Sequence, residues 1–343
     1  MNERQIGAKV SLAVKYRPKC WEDVTEQSVV KDILENQVQT KTVQSAYLFT
    51  GPSGTGKTTS ARIFANMIND GRGNPIEVDA ASNSGVDNIR QIIEDAKRKP
   101  LDAEYKIFIV DECHSLSNGA WQALLKTLEE PPKFTIFIFC TTDPQKVPAT
   151  ILSRVQRYNF QKISNEGIVT RLRYILYCEE KIADNDAIDY IAKVSNGGCR
   201  DAITLLDKCL SLSKEKLTLE NVLKTIGAED YSTFITFLSA LEEKEKEISI
   251  KVVEDVYNAG KDVKQFLRDF AKFILEVEKY ALYKNFNYIS LPNTLENELE
   301  QLIDDSLFNV MDFVVSLNSQ IKWDSDPKTL VELSILIYCG KES

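Results

Sequence analysis

An eight-residue motif, GPSGTGKT at residues 51–58, constrains the fold of this chain more than any other feature of the sequence. It fits the pattern G-x-x-x-x-G-K-[ST], and it directly follows the β-rich run AYLFT at 46–50. In that context the glycines turn backbone N–H groups toward phosphate oxygens, and the N-terminus of the next helix adds partial positive charge. Lys57 is expected to reach the β- and γ-phosphates, and the Thr58 hydroxyl to bind Mg²⁺. The motif therefore predicts an α/β nucleotide-binding domain that uses ATP and Mg²⁺.

The region from 46 to 160 alternates β-rich runs with helical stretches, which is typical of a mostly parallel sheet with helices on both faces. Residues 118–130 are predicted to form one of the helices, because their apolar side chains repeat at helical spacing and two prolines follow. The predicted strands are 46–50, 75–79, 105–111, 134–140 and 157–160. A P-loop fold of the α/β class follows from this pattern.

After residue 160 helical periodicity dominates, so the second half is expected to be all-α. A first α/β domain is predicted for 1–163, a small helical domain for 164–228, ending near Gly227, and a longer helical bundle for 229–343. The predicted helices are 164–182, 184–194, 199–213, 218–226, 231–247, 249–281, 295–318 and 327–340.

The composition excludes several classes of protein. The apolar runs are far shorter than the roughly 18 residues of a membrane span, and the N-terminus lacks an apolar leader, so we expect a soluble, cytoplasmic protein without a membrane partner. The seven cysteines show no C-x-x-C spacing, and His114 is the one histidine of the sequence. A Cys/His zinc site and a Ser-His-Asp triad are therefore both disfavoured. The net charge of −9 comes from the second half and does not by itself indicate a nucleic-acid binder.

An acidic pair, Asp111-Glu112, ends the predicted strand at 105–111. Carboxyl ends of parallel strands face the ligand crevice, so both side chains are expected to meet the nucleotide. Asp111 is expected to hold Mg²⁺ through its water shell, and Glu112 to polarise the attacking water. Water as the acceptor means hydrolysis rather than transfer. His114 is interpreted as a packing residue at the end of the strand rather than as a catalytic group.

Seven stretches of the sequence, in their order along the chain, resemble the DNA polymerase III gamma/tau family. This family comprises the ATPases of bacterial sliding-clamp loaders within the AAA+ superfamily. The resemblance is dense over 11–227 and continues more faintly to the last predicted helix, in 321–338. The seven stretches are KYRPKCWEDV (15–24), GPSGTGKTT (51–59), VDAASNSGVDNIR (78–90), IVDECHSLS (109–117), ALLKTLEEPP (123–132), TTDPQKVPATILSR (141–154) and GGCRDAITLLD (197–207).

The resemblance implies roles for individual residues. Thr142 would be sensor 1, near the γ-phosphate, and Arg200 would be sensor 2, linking a helical lid (164–228) to the phosphates. Arg154 would enter the active site of the neighbouring subunit, where such a finger is worth roughly 10³ to 10⁵ in rate; without the family pattern, a surface ion pair is the ordinary role for such an arginine. The residues 229–343 would form the collar. The expected nucleotide-binding residues are Tyr16, Arg17, Pro18, Val24, Gly51, Pro52, Ser53, Gly54, Thr55, Gly56, Lys57, Thr58, Thr59, Asp111 and Arg200, and the expected catalytic residues are Lys57, Glu112, Thr142, Arg154 and Arg200.

The sequence departs from the family pattern in several places. A short loop, NDGRGN at 69–74, stands where most bacterial members insert a cysteine-rich zinc module, so we expect no zinc. Asn83 replaces an arginine that contacts the DNA backbone, and Val155 replaces the cysteine of Ser-Arg-Cys. Without the long tail of tau forms after Ser343, the chain resembles the short gamma form, of bacterial or phage origin. The DNA-contact candidates are Asn83, Ser84, Lys97, Arg98, Lys99, Ser117, Asn118 and Lys126.

The function that the resemblance implies is an ATPase subunit of a clamp loader in DNA replication. Its expected partners are other clamp-loader subunits, as copies of itself or related chains in a pentameric assembly, together with a sliding clamp and primer–template DNA. Three alternatives stay open at this point: another AAA+ DNA motor or helicase loader, a P-loop kinase, and a stator subunit that binds nucleotide without hydrolysing it.

Overall fold

The structure, a computed structural model, describes residues 10–212, 215–226, 230–303, 307–322 and 324–340. The chain divides into two compact units, Met1–Val222 and Leu223–Ser343. The expected end of the helical domain near Gly227, residue 213 of one predicted helix, residues 304–306 of another and Trp323 lie outside the described residues, as do residues 1–9. The division into three domains at 163/164 and 228/229 therefore stays a prediction.

A five-stranded sheet lies in the first unit, in the order β2-β3-β4-β1-β5. All of its strand pairs are parallel, and each strand begins and ends within one residue of the predicted bounds. Every residue of β1 and β4 is buried, as expected of central parallel strands with helices on both faces. The strands are β1 (Ala46–Thr50), β2 (Ile76–Asp79), β3 (Lys106–Asp111), β4 (Thr135–Thr141) and β5 (Gln156–Asn159).

Two apolar layers cover the sheet, which confirms the predicted α/β class. On one face Tyr47 and Phe49 pack with Phe64 of α3, and on the other Leu48 packs with Ile89 of α4 and the predicted apolar stripe of α5. Alternation of side chains along β1 sends them to opposite faces. The helices before and between the strands are α1 (Leu12–Lys15), α2 (Ser28–Gln39), α3 (Lys57–Ile68), α4 (Val86–Ala96), α5 (Asn118–Glu129) and α6 (Ala149–Leu152).

The strand register brings the carboxyl ends of four strands to one edge of the sheet. Thr50 of β1 pairs with Thr141 of β4, and Asp79 of β2 pairs with Asp111 of β3. The P-loop, the acidic pair and the sequence after Thr141 therefore begin at the same edge, where α/β sheets bind ligands.

The first four described α-helices after β5 are α7 (Asn165–Cys178), α8 (Asn185–Val194), α9 (Cys199–Leu212) and α10 (Leu219–Ile226). The prediction of an all-α second half is wrong in one detail, because Ile182–Ala183 (β6) and Lys216–Leu217 (β7) form a two-stranded parallel ladder. Each strand is only two residues long, too short for periodicity to reveal.

The second unit is helical, with a core of aromatic and aliphatic side chains such as Phe237, Phe270 and Val310. The single helix predicted over 249–281 is wrong: Gly260 has φ +73°, and the Asp262 carboxylate caps a new helix by accepting from the backbone N–H groups of the two residues that follow Val263. The described helices are α11 (Asp230–Glu242), α12 (Lys246–Asn258), α13 (Val263–Tyr283), α14 (Glu296–Gln301), α15 (Leu307–Ile321) and α16 (Pro327–Gly340). None of the helices in the described ranges is long and apolar enough to cross a membrane.

Candidate active site

The loop at 51–58 has the backbone that its glycines permit. Gly51 has φ +146°, and a Cβ built there would lie 2.3 Å from the carbonyl oxygen of Phe160, so no other residue fits. Lys57 begins α3, and its Nζ donates to the carbonyl oxygens of Gly51 at 2.9 Å and Pro52 at 2.7 Å. Burial lowers the pKa of this ammonium group. The loop therefore holds a buried cation whose hydrogen bonds a phosphate can replace.

The predicted Mg²⁺ ligands are in direct contact. Thr58 Oγ1 donates to Asp111 Oδ2 at 2.7 Å, and Asp111 Oδ1 accepts from the backbone N–H of Glu112 at 3.0 Å. A hydroxyl and a carboxylate, both oxygen donors, suit Mg²⁺, which keeps several of its own waters. The two residues present therefore fit this ion.

Glu112 has a left-handed backbone, with φ +46°, and starts a tight turn at the end of β3. Its Oε2 accepts a hydrogen bond from Thr142 Oγ1 at 3.2 Å and lies 3.3 Å from His114 Nδ1. Thr142 follows β4 directly, so the register of β3 with β4 places it beside the acid. The predicted water-activating and sensor 1 residues thus meet in this structure.

A cavity of about 190 Å³ opens above the P-loop. Most of the predicted nucleotide-binding residues line it, including the segment from Tyr16 to Pro18, Val24, the loop from Ser53 onward and Arg200. Gly51 and Pro52 contribute through their bonds to Lys57. The lining residues that the sequence analysis missed are Ala13, Thr25, Arg62, Ile163, Arg171, Cys199 and Ile203.

Four arginines line this cavity, of which two were not expected. The pKa of Arg17 is lowered by burial first and then by the positive charges of Arg62 and Arg200. Arg62 pairs with Glu77, and its buried Nε has no hydrogen-bond partner in the described part of the chain. Such crowding of like charges is stabilised by a polyanion, so the cavity fits the phosphates of a nucleotide. Arg62 lies four residues after Thr58, so helical spacing could have indicated it, whereas nothing in the sequence marks Arg171.

The turn that carries Arg200 packs directly on the P-loop. A Cβ at Gly54 would lie 3.1 Å from Gly198 Cα, and the backbone N–H of Arg200 donates to the Gly54 carbonyl at 3.4 Å. Glycine on both sides permits this approach of two backbones. On the other side, Arg171 Nη2 of α7 donates to the Tyr16 carbonyl oxygen at 2.8 Å. Helices α7 and α9 therefore close two sides of the cavity.

Comparisons with known proteins show the family of this chain. The family model described as "DNA polymerase III clamp loader subunit, ATPase lid domain" matches residues 167–215, and that described as "DNA polymerase III, delta subunit" matches 74–164. The Bacillus subtilis DNA polymerase III subunit tau is 33% identical over 94% of this chain and 62% of its own length. The subunit gamma of Buchnera aphidicola from Schizaphis graminum is 30% identical over 87% of this chain and 88% of its own length. The chain belongs to the DNA polymerase III gamma/tau family.

The fold is shared more widely than the gamma/tau family. The Thermotoga maritima RuvB Holliday junction branch migration motor superposes with a TM-score of 0.52 at 19% identity, covering 72% of this chain and 86% of the RuvB chain. This likeness shows that the two chains share a fold. The gamma/tau chain described here spans less than two thirds of the Bacillus relative.

Arg154, the expected finger of this gamma/tau chain, is not among the residues that line the cavity. It follows α6, where its Nη2 lies 2.6 Å from Glu129 Oε1 and its Nη1 donates to the Thr150 carbonyl at 2.5 Å. The side chain is 33% exposed. In the single chain Arg154 thus makes the surface ion pair that was the alternative interpretation, and its role in a neighbouring subunit stays a prediction.

The DNA-contact candidates of this gamma/tau chain separate into two groups. A hydrogen bond of 3.2 Å from the backbone N–H of Ser117 to the Ser84 carbonyl joins the N-termini of α4 and α5 and so gathers Asn83, Ser84 and Asn118. The basic candidates lie at the opposite ends of these helices: Lys97, Arg98 and Lys99 after α4, and Lys126 in the last turn of α5. Lys97 already pairs with Glu94 at 2.5 Å.

The short loop at 69–74 turns tightly after α3. The Asn69 side chain joins this loop to the residue before β3. It donates to the Tyr105 carbonyl and accepts from the Tyr105 N–H, both at 2.9 Å. Within the residues that the structure describes, no group of three or more His, Cys, Asp or Glu side chains is placed to hold a metal ion. The expectation that this chain binds no zinc stays a prediction.

Proposed function

We propose that this chain is an ATPase subunit of a DNA sliding-clamp loader. ATP binding opens a processivity clamp and places it on primer–template DNA during replication, and hydrolysis releases the clamp. One observation carries the proposal: Thr58 bonds Asp111 and Thr142 bonds Glu112, so the predicted metal-binding and water-activating groups meet at one sheet edge beside Lys57. The gamma/tau family membership supports the same assignment.

The chemistry follows from these groups. The P-loop N–H groups and Lys57 bind the β- and γ-phosphates, while Arg200 approaches them from the lid. Mg²⁺, when held by Thr58 and Asp111, neutralises charge on the phosphates. Glu112 accepts a proton from the attacking water, and Thr142 orients that water or the γ-phosphate. The Tyr16–Pro18 segment and Val24 lie against the adenine.

The site is completed by a second subunit. Arg154 leaves its ion pair with Glu129 and enters the pocket of the neighbour, where its charge stabilises the transition state. Breaking an exposed ion pair costs at most about 1 kcal/mol, so the pair with Glu129 does not prevent Arg154 from entering the neighbouring pocket. The neighbours are copies of this chain or related clamp-loader subunits in a pentameric ring. The assembled clamp loader acts in the cytoplasm.

This chain contacts DNA through the phosphates of the DNA backbone. The paired N-termini of α4 and α5 present Asn83, Ser84, Ser117 and Asn118 together, and free N–H groups at helix N-termini attract anions. Such contacts are independent of base sequence and weaken with salt. The basic side chains Lys97, Arg98, Lys99 and Lys126 add a weaker, diffuse attraction.

The test compares Lys57→Ala and Arg154→Ala chains, each assembled with its companion subunits, alone and mixed. Each variant by itself is expected to lose nearly all ATP hydrolysis. An equal mixture regains about a quarter of wild-type turnover, since about one interface in four then joins an intact Lys57 to an intact Arg154. Arg173→Ala, at an exposed arginine that bonds Asn185, is the control and stays active. Full activity of Arg154→Ala alone contradicts the proposal.

A second measurement separates the clamp loader from the alternatives. ATP hydrolysis is expected to rise when a sliding clamp and primed DNA are both added. Stimulation by a four-way junction or a helicase instead identifies another AAA+ motor or a helicase loader. A phosphorylated small molecule identifies a kinase, and nucleotide binding without turnover identifies a stator.

A further inference from the structure

The single histidine of the chain contacts the acid that we place in ATP hydrolysis. His114 lies in the tight turn Cys113–Ser115, directly after Glu112. Its Nδ1 is 3.3 Å from Glu112 Oε2 and 3.1 Å from Thr141 Oγ1, and its side chain is 20% exposed. A pure packing residue, as the sequence suggested, does not require this ring nitrogen to face a carboxylate.

A hydrogen on Nδ1 suits both oxygens that lie near this atom. An ionised carboxylate only accepts hydrogen bonds, so Nδ1 carries a hydrogen whenever this contact is attractive. The Thr141 hydroxyl oxygen already accepts from the Asp143 N–H at 3.0 Å, and it has a lone pair left to share the same imidazole hydrogen. The imidazole therefore links the end of β4 to the carboxylate that follows β3.

Two polar groups approach one oxygen of Glu112. The Thr142 hydroxyl and the His114 imidazole both approach Oε2, from different strand ends. The backbone of Glu112 is left-handed, a conformation that costs energy in a residue other than glycine and that surrounding contacts must maintain. The Thr142 hydrogen bond and the adjacent imidazole restrict rotation of this carboxylate, so its other oxygen keeps a defined direction.

We propose that His114 is a positioning residue for Glu112. The proposal rests on the role of Glu112 given above. With Oε2 held by His114 and Thr142, Oε1 accepts a proton from the attacking water. The oxygen of that water bonds to the γ-phosphorus as the bond from the phosphorus to the β,γ-bridging oxygen breaks, giving ADP, inorganic phosphate and one proton that Glu112 returns to solvent. His114 acts only through the carboxylate and does not touch the nucleotide.

The kinetic test compares His114→Phe with His114→Asn in the assembled full chain. Phenylalanine keeps the ring shape without the donor, so kcat is expected to fall about tenfold with KM for ATP unchanged. Asparagine places an amide nitrogen close to the Nδ1 position, so it restores most of kcat. In a Glu112→Gln chain, His114→Phe causes little further loss, because residues that act as a unit are not additive. A fall in kcat that asparagine does not restore, or the same tenfold loss in the Glu112→Gln chain, overturns the proposal.

A spectroscopic test needs no turnover. One histidine gives one set of imidazole ¹⁵N resonances, and these are expected to show a protonated Nδ1 in the wild type and to shift on Glu112→Gln. Resonances that do not respond to Glu112→Gln overturn the proposal. If Glu112→Gln shifts the resonances but leaves kcat unchanged, the role of Glu112 in the proposed function fails and this inference fails with it. A failure of the His114 variants alone leaves the proposed function intact, so the two are distinguished.

Discussion

At the scale of single residues, unusual backbone angles mark the site. Gly51, Gly54 and Gly56 have positive φ in the P-loop, and Glu112 has positive φ at the end of β3. Glycine adopts left-handed backbone geometry without a steric cost. In Glu112 that geometry is maintained by the turn, by the hydrogen bond from Thr142 and by the contact with His114. The P-loop glycines could be interpreted from the sequence because their motif is local, whereas no sequence signal marked the backbone of Glu112.

Cys199 offers a direct test of nucleotide binding in the cavity that it lines. Burial raises the pKa of its thiol, so its alkylation is slow at neutral pH and accelerates as rising pH increases the thiolate fraction. Bound ATP is expected to slow the labelling of Cys199 about tenfold or more, because the ligand excludes the reagent. Mass spectrometry of labelled peptides measures the rate.

The exposed Cys178 serves as the internal control for that experiment, since it lies outside the cavity lining. Its labelling is expected to be unchanged by ATP. Equal protection of Cys178 and Cys199, or protection of neither, contradicts the placement of the nucleotide in this cavity.

At the scale of elements, the close approach of α4 and α5 depends on one small residue. A Cβ at Gly119 would lie 2.7 Å from Val86 Cγ2, so Gly119→Ala forces the two helix N-termini apart or forces Val86 into another rotamer. We expect a loss of about 1 kcal/mol in the free energy of unfolding, measured by urea denaturation, although alanine is otherwise the better helix former.

Two further variants make this prediction specific. Gly85→Ala is the matched control, because a Cβ there meets nothing within 4 Å. Gly85 is the N-cap of α4, so alanine is expected to cost a capping effect of roughly 0.5–1 kcal/mol that is the same in a Val86→Ala chain. In a Val86→Ala chain the clash is gone, so Gly119→Ala becomes neutral or stabilising. If Gly119→Ala costs the same with and without Val86, helix packing is not the cause.

At the scale of the whole molecule, each of the two compact units has its own apolar core. Phe237, Phe270 and Val310 belong to the core of the second unit, while Phe49 and Phe64 belong to that of the first. A chain divided between Val222 and Leu223 is therefore expected to give two fragments that each unfold cooperatively in urea, with slopes of roughly 1–3 kcal/mol/M. Circular dichroism measures both transitions.

A cut after Asp111 is the contrasting case. It separates β1 and β3 from β4, which lies between them in the sheet. Strand β1 loses both of its parallel neighbours and β3 loses β4, with most of the buried apolar area, so neither fragment is expected to unfold cooperatively. Cooperative unfolding of both would show that the sheet is not one folding unit.

The sequence by itself determined the local structure of this protein. The P-loop, the five strands and the helix over 118–130 follow from motifs and periodicities a few residues long, and the structure has them within one residue. Prediction failed where the local signal was weak. One glycine and one aspartate divide the helix expected over 249–281. The strands β6 and β7, of two residues each, were too short to be predicted from periodicity.

Only the tertiary structure decided which side chains meet. Parallel pairing of β3 with β4 sets Thr142 beside Glu112 and Thr141 beside His114. The packing of the lid helices brings Arg171 and Cys199, which lie more than 100 residues after the P-loop in the sequence, to the cavity above that loop. Such contacts depend on strand register and on helix packing between distant segments, and neither is encoded in the spacing of neighbouring residues. Periodicity determines which residues form an element, whereas the packing of distant elements determines what each side chain touches.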